Sequence, residues 1–537
     1  MGVYPEIFFE IKIGSTWEDI SADVIQDSTC FYGISGNSPT DRVSDVGSLE
    51  FVLRNDSGCL GGVENYYTPL SAYTKTGWQK GVPVRLKITY LLDSVVKFYG
   101  HISEIKVNPV SKTVNVTALD YMDYLTNYPL NLTTIATNKE ISGIVQTILS
   151  GMTIQPQATS YATGTDTYSV AFDTVNENTR AISEMNKVAL SELGYVYIKR
   201  DSTYGETLVV EGRHSRNYTS TLSQLPRYDE YLLNQDGTNL LWEDSTKILL
   251  NTYENNSFSS DMVSIGLTYG RNIFNKVTVK SYPRKTDTSV SVLFSLNNPI
   301  SISAGETLAN YVGYYRDPSG GNSKISGSGM LTPVATTDYL MYEYSDGTGA
   351  NLTSYLTVTA NYGINGVTYT LQNTGTKTGY ITKLQARGKG VYIYDSVSYT
   401  TNDTTSLNAY GYQELSIDQK YQQNPLVSQN MADALLSQYK DPASNFESVE
   451  FIANTDDWLM RSFLYLDIGS LIYVVDDLIS PVISSDEGFY YINSIDFKIK
   501  QGGLVAFSYG LVPAFNIGTT YWLLDTSTLD TSTILGY

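Results

Sequence analysis

Two histidines, His101 and His214, are all that 537 residues offer for imidazole chemistry. They do not form the i,i+4 pair that puts two ring nitrogens on one helix face. The only cysteines, Cys30 and Cys59, are distant in sequence, so a His/Cys zinc site within one chain is not expected. The two thiols allow at most one disulfide, no framework for a chain this long, and are read as free and buried. His101 lies in the strand-like run Phe98-Tyr99-Gly100-His101-Ile102 and, with His214, is read as structural or surface. There is no Gly-rich loop ending in Gly-Lys-Ser/Thr, no dinucleotide fingerprint and no Gly-x-Ser-x-Gly elbow.

Carboxylates remain, and two at a set separation suffice for glycoside hydrolysis. Asp173/Glu177, Glu184 and Asp418 lie near helical stretches, but nothing in their surroundings predicts a raised pKa. Asp476-Asp477 and Asp486-Glu487 are acidic loops that could hold a divalent ion weakly, with solvated turns the simpler reading. The expectation is therefore a chain with no catalytic, cofactor-binding or metal residue, no cofactor, and no enzyme activity.

The elements that must position these residues are mostly strands. Charged residues are only 17% of the chain, and their place is taken by 45 Tyr, 42 Gly and many Ser, Thr and Asn. Tyr and Thr favour strands and the small polar residues favour turns. A net charge of −20 argues against a surface that grips nucleic acid or an anionic membrane. The opening Met1–Glu6 lacks a basic region followed by an apolar core, so no signal peptide is expected. No apolar run reaches membrane-spanning length, and no stable membrane insertion is expected.

Along the chain, Phe8–Ile13, Gly47–Leu53, Val82–Tyr90, Val95–Ile105 and Thr113–Leu119 read as strands, spaced for a small barrel or sandwich. Asn138–Leu149 aligns Ile141, Ile144, Val145 and Ile148 as a short amphipathic helix. A second helix, with Asn178 as a cap, carries Ile182, Met185, Val188/Ala189 and Leu193 and stops at Gly194. A hairpin follows over Tyr195–Lys199 and Thr207–Glu211. Strands resume at Val277–Val279, and Tyr339–Tyr344, Tyr355–Ala360, Val367–Asn373 and Gly379–Arg387 read as strands of a separate sandwich. Asp418–Tyr439 has a helical pattern with Pro425 near its start. Glu447–Ala453, Tyr465–Leu466, Leu471–Val475, Tyr490–Lys500 and Leu504–Leu511 return to strands. A polar tail follows, whose cluster Tyr521-Trp522-Leu523-Leu524 could dock on a neighbour.

Four passages in order resemble the tail-tip or baseplate hub proteins of tailed bacteriophages. The first is Gly47–Gly58 with Gly81–Leu86, Phe98–Ile105 and Thr113–Leu125, including Ala118-Leu119-Asp120. The second is Ala181–Arg200 with Leu208–Arg213; the third is Asn373–Gly375 through Tyr380–Gly388. The fourth is Leu466-Asp467-Ile468-Gly469 with Tyr490–Ile495, Gly502-Gly503 and Gly510–Ala514. The resemblance implies a mainly β, multidomain chain with two tube-like β-barrel hub domains, a small α/β domain and an inserted β-sandwich.

The expected division is 1–128 for the first hub domain, 129–220 for the α/β domain and 221–284 for connecting strands. The inserted sandwich is 285–405, a helical connector 406–445, the second hub domain 446–514 and the tail 515–537. The family implies a homotrimer on the tail axis, in which two β domains per chain match a sixfold tail tube to threefold tip proteins. Its partners would be the tube or distal tail protein above and tip, central-fibre or receptor-binding proteins below, with DNA passing without stable binding. The location implied is the virion tail tip, after synthesis in the host cytoplasm. No peptidoglycan-cleaving domain is evident. Two competing readings are a cell-surface or receptor carbohydrate-binding protein acting through 285–405, and a glycoside hydrolase.

Overall fold

Alternation of apolar and polar residues decides the first sheet. In Pro83–Tyr90 the inward set Val84, Leu86, Ile88 and Tyr90 is buried while the residues between are half-exposed, as a period of two demands. The computed structural model describes residues 4–91, 93–130, 135–162, 164–173, 179–200, 205–216, 228–231, 249–253, 257–258, 262–317, 325–442, 444–474, 488–514, 520–521 and 533–534. Glu177, Asn178, Asp476-Asp477, Asp486-Glu487 and Trp522–Leu524 lie outside these residues.

The N-terminal strands are β1 (Glu6–Ile13), β2 (Thr16–Asp19), β3 (Ser28–Gly33), β4 (Asp45–Arg54), β5 (Pro83–Tyr90), β6 (Asp93–Asn108) and β7 (Thr113–Leu119). Next come α1 (Tyr121–Asn127), α2 (Ile141–Ser150), β8 (Ala158–Tyr161), α3 (Ala181–Glu192), β9 (Tyr195–Lys199) and β10 (Thr207–Glu211). All four apolar residues expected on α2 are fully buried, as are Met185, Val188 and Ala189 of α3. Leu193 closes α3 in the left-handed conformation.

After β11 (Tyr228–Tyr231), β12 (Leu249–Tyr253), β13 (Ser257–Phe258), β14 (Ser264–Tyr269) and β15 (Lys276–Ser281), a second β region runs to residue 393. It comprises β16 (Arg284–Thr286), β17 (Ser291–Ser295), β18 (Ile300–Ile302), β19 (Thr307–Tyr314), β20 (Ile325–Ser328), β21 (Tyr339–Tyr342), β22 (Leu356–Tyr362), β23 (Gly366–Asn373) and β24 (Gly379–Ile393). β24 pairs with β16, β17, β18, β20 and β21, while β19, β23 and β22 make a three-stranded sheet. Both sheets contribute to one core, through residues such as Leu293, Ile302, Tyr369, Leu371, Ile381 and Leu384.

The chain continues through β25 (Val397–Asn402), α4 (Thr404–Tyr410), β26 (Glu414–Asp418), α5 (Pro425–Tyr439), β27 (Ser444–Ile452), α6 (Asp457–Tyr465), β28 (Leu471–Val474), β29 (Phe489–Lys500) and β30 (Leu504–Pro513). β15 lies between β25 and β26, and α5 packs Ala432, Leu435 and Leu436 against Val277, Val279, Leu415 and Ile417. The helical pattern expected from Asp418 begins only at Pro425, because Glu414–Asp418 is drawn into a strand beside β15.

Two closed barrels do not form, which corrects the expectation of tube-like domains. The two ends of the chain build one 13-stranded sheet in the open order β14-β27-β30-β29-β3-β4-β7-β6-β5-β1-β2, with β28 and β13 branching from β29. No sheet among the described residues closes on itself. The physical reason is the pairing of β3 with β29, from Ser494↔Gly33 to Ile499↔Ser28. A strand has two edges, and β3 spends its own on β4 and on a strand from the far end of the chain. A single apolar core follows the joined sheet, holding Phe9, Leu86 and Phe98 together with Phe451, Phe463, Phe507 and Tyr509. Tyr465–Leu466, read as a strand, is instead the end of α6. Asp456 caps that helix at the Trp458 N–H, and Leu459, Met460, Phe463 and Leu464 are buried.

Candidate functional site at the join of the chain ends

Beside the join, charged side chains from three separate passages meet out of contact with water. Asp120 follows β7 and caps α1: its Oδ1 accepts from the Met122 and Gly47 N–H groups, each at 3.0 Å. Gly47 permits that approach, since a Cβ there would stand 2.3 Å from Asp120 Oδ2. Arg200, just beyond β9, donates Nη2 to Asp120 Oδ2 at 2.9 Å, and both side chains are fully buried. The Arg200 backbone N–H donates to Asp467 Oδ2 at 2.7 Å. Its guanidinium lies against Tyr32 of β3 and Phe98 of β6, at 4.7 and 5.1 Å from the ring centroids. Asp120, Arg200 and Asp467 thus tie the first sheet strands, the α3–β9 segment and the α6–β28 turn to one point.

Lys97 is the fourth member. Between Leu86↔Phe98 and Lys87↔Val96 the β5–β6 register shifts, leaving Lys97 as the extra residue of a bulge. The bulge breaks the alternation, and Val95 to Phe98 all become buried. Lys97 Nζ donates to the Phe463 carbonyl at 2.7 Å, at the C-terminal end of α6 where a cation is favourable. Burial pulls the Lys97 amine down to about 8, with Asp467 opposing. Burial likewise raises the carboxyls of Asp120 and Asp467, against the pull of Arg200 and Lys97 respectively. Glu206, before β10, is pushed up to about 7 by burial, with Arg200 opposing.

Such a cluster holds parts together. An ionised group in a dry interior is tolerated only when paired, so each partner dictates where the other must sit. Sequence reading singled out Asp120, Arg200 and Asp467 only as members of resembling passages, and missed Lys97 and Glu206. The signal for Lys97 was a lysine between Val96 and Phe98 in a strand.

The other candidates fall elsewhere. His101 Nε2 is 3.2 Å from Asp123 Oδ2 and its ring stacks on Tyr124 at 4.2 Å; burial lowers its pKa against the pull of Asp123. His214 lies in the turn after β10, at a cavity rim. Cys30 and Cys59 are both buried and unbridged. Asp173 forms a two-point pair with Arg284, at 2.6 and 3.0 Å. Glu184 pairs with Lys187 at 2.5 Å and accepts from the Tyr421 hydroxyl. Asp418 pairs with Lys420 at 2.6 Å. Asp173, Glu184 and Asp418 thus each pair with a cation of their own. Among the described residues no three His, Cys, Asp or Glu gather as a metal cluster, and no helix is long and apolar enough to cross a membrane.

No family model matches the chain, and no curated protein matches it. Among solved structures it is similar to the 43 kDa tail protein of prophage MuSo2 from Shewanella oneidensis, at 9% identity over 94% of this chain and 98% of that one, with a TM-score of 0.45. It is similar to a tail protein from Neisseria meningitidis MC58, at 8% identity over 94% and 96%, with a TM-score of 0.44. The prophage tail protein gp18 from Listeria monocytogenes EGD-e follows at 8% identity, 94% of both chains and a TM-score of 0.38. All three neighbours are described as tail proteins.

Proposed function

We propose that the chain is the structural hub of a phage tail tip or baseplate, acting as a homotrimer on the tail axis. It would join the sixfold tail tube, or a distal tail protein, to threefold tip, central-fibre or receptor-binding proteins, and line the DNA passage. The observation that carries this reading is the joined sheet. Each chain sets β strands from its two ends side by side and fixes them with buried ions. Three such chains around an axis would each offer strands from both chain ends to the neighbours above and below, as a match between threefold and sixfold partners requires. The sheet is open, and unpaired strand edges are best protected by assembly. A net charge of −20 suits a passage that should not hold phosphate. The location that follows is the virion tail tip, after synthesis in the host cytoplasm. Native mass measurement with two-dimensional class averages tests it. Threefold particles with an axial hole are expected, and a monomer at high concentration overturns it.

A second reading, glycan contact by residues 285–405, rests on two tyrosines. Tyr344 and Tyr355 are about half exposed, and each lies against a glycine, Gly349 and Gly375, leaving an open aromatic face of the kind that can stack on a sugar ring. A glycan array with no signal removes it.

A further inference from the structure

A cavity of about 160 Å³ lies beside the turn after β10. Its walls come from the loop at residues 37–42, the turn after β10, the C-terminal half of α5 and the ends of β29 and β30. Much of the lining is apolar, with Leu193, Leu435, Phe446 and Leu511 among it, yet four arginines reach it: Arg42, Arg213, Arg216 and Arg271. That concentration is unexpected in a chain of net charge −20.

Counting partners shows which cation lacks a counter-charge. Arg213 pairs with Asp166 and, at 3.7 Å, with Glu192. Arg216 pairs with Glu211 at 2.7 Å, and Arg271 pairs with Glu447. Arg42 differs. Its Nε donates to the Pro39 carbonyl at 2.7 Å and its Nη1 to the Leu193 carbonyl at 3.0 Å, both neutral acceptors. No carboxylate among the described residues pairs with it. Of the acids at the lining, Glu447 is taken by Arg271, Asp41 accepts from the Ser38 N–H, and Asp441 is exposed at the rim. The Arg42 and Arg216 guanidinium carbons lie 4.5 and 3.6 Å from the centroid of one ring, Tyr195. Two cations therefore share one aromatic ring with a single carboxylate, Glu211, between them.

An unbalanced guanidinium in a partly enclosed, aromatic-walled space is a receptor for an oxyanion, and its planar fork matches a carboxylate. The apolar walls suit a short aliphatic stem. The volume equals that of about five liquid waters, room for a Glu-sized group. We propose that this cavity binds a carboxylate on a short aliphatic stem, with Arg42 as its principal contact. The group could arrive on a neighbouring protein or as a free acid. The site stands apart from the hub reading, because it depends on Arg42 and the cavity walls and not on oligomeric state.

The test is calorimetric titration of the full chain with glutarate, with the blocked tripeptide Ala-Glu-Ala, and with 1,5-diaminopentane as the opposite-charge control. Saturable binding of an acid, with no binding of the diamine, is expected. Tighter binding of the tripeptide assigns a protein-borne carboxylate, and tighter binding of glutarate a free acid. Arg42→Gln should weaken binding at least tenfold. Ala434→Trp should fill the cavity and abolish binding with Arg42 intact, so the proposal does not hang on one variant's folding. Absence of acid binding to the unaltered chain overturns the proposal, as does equal binding of the diamine. Binding unchanged in a folded Arg42→Gln or Ala434→Trp chain also overturns it.

Discussion

The two large β regions hold themselves together by different means. The region around β24 is local: five strands pair along one 15-residue strand, and every partner lies within residues 284–393. Its core cluster is apolar and flanked by two ion pairs: Arg387–Asp338, at 2.5 and 2.9 Å, and the fully buried Arg284–Asp173, which ties β16 to the segment before α3. The 13-stranded sheet joins the two ends of the chain and buries Asp120, Arg200, Asp467 and Lys97 beside the join. Apolar contact is tolerant of small slips, whereas a buried ion has one acceptable partner. The contrast predicts that buried charge helps to select the register where a strand's partner is distant in sequence, and that shape suffices where partners are close.

Removing the central charge should have the largest effect. Arg200→Met leaves Asp120 buried without its cation and should cost about 3–5 kcal/mol in denaturant unfolding. The double variant Arg200→Met/Asp120→Asn should recover part of that loss; if the single variant is neutral, the join is held by apolar contact alone. Leu384→Ala, at a fully buried position of the β24 region, should cost about 2–5 kcal/mol. Here hydrogen exchange should accelerate within 284–393 while protection in β3 and β29 stays unchanged, and a loss shared by both regions would erase the contrast.

Glu206 makes the buried ion cluster sensitive to pH. Its folded pKa of about 7 lies above the ordinary 4.5, so its contribution is fully present below about pH 4.5 and is lost as pH rises through 7. Glu206→Gln should therefore raise stability at pH 8 by about 2–3 kcal/mol and leave it little changed at pH 4.5, as measured by unfolding midpoints across that range. The smallest effect is expected at the far end of α6 from Lys97. Asp456→Ala removes its cap and should cost about 1 kcal/mol, read as faster exchange in residues 457–460.

Much of the sheet was legible because its signals are local. Val84, Leu86, Ile88 and Tyr90 alternate, and the helix at Ile141–Ser150 shows its stripe. The helix at Asp457–Tyr465 was missed although Asp456 and the spacing of Leu459, Met460, Phe463 and Leu464 announce it, because strands flank it on both sides. The β3–β29 pairing could not be read, since nothing in Ser28–Gly33 names its partner, and the expectation of two closed barrels failed at that point. The site was half legible. Asp120, Arg200 and Asp467 lay in passages already singled out, but their meeting depends on the join, and Lys97 turns inward only because of a bulge.

The same pairing has a consequence for how the protein is made. Asn493 donates to the Ile34 carbonyl across 459 positions of sequence. At about 5–20 residues per second, a ribosome leaves the edge of β3 without its partner for roughly half a minute to a minute and a half. During that interval the nascent chain carries an open strand that any similar edge can capture. Slowed translation after residue 33 should therefore increase aggregation, and a chain truncated before β29 should require a chaperone to remain dispersed.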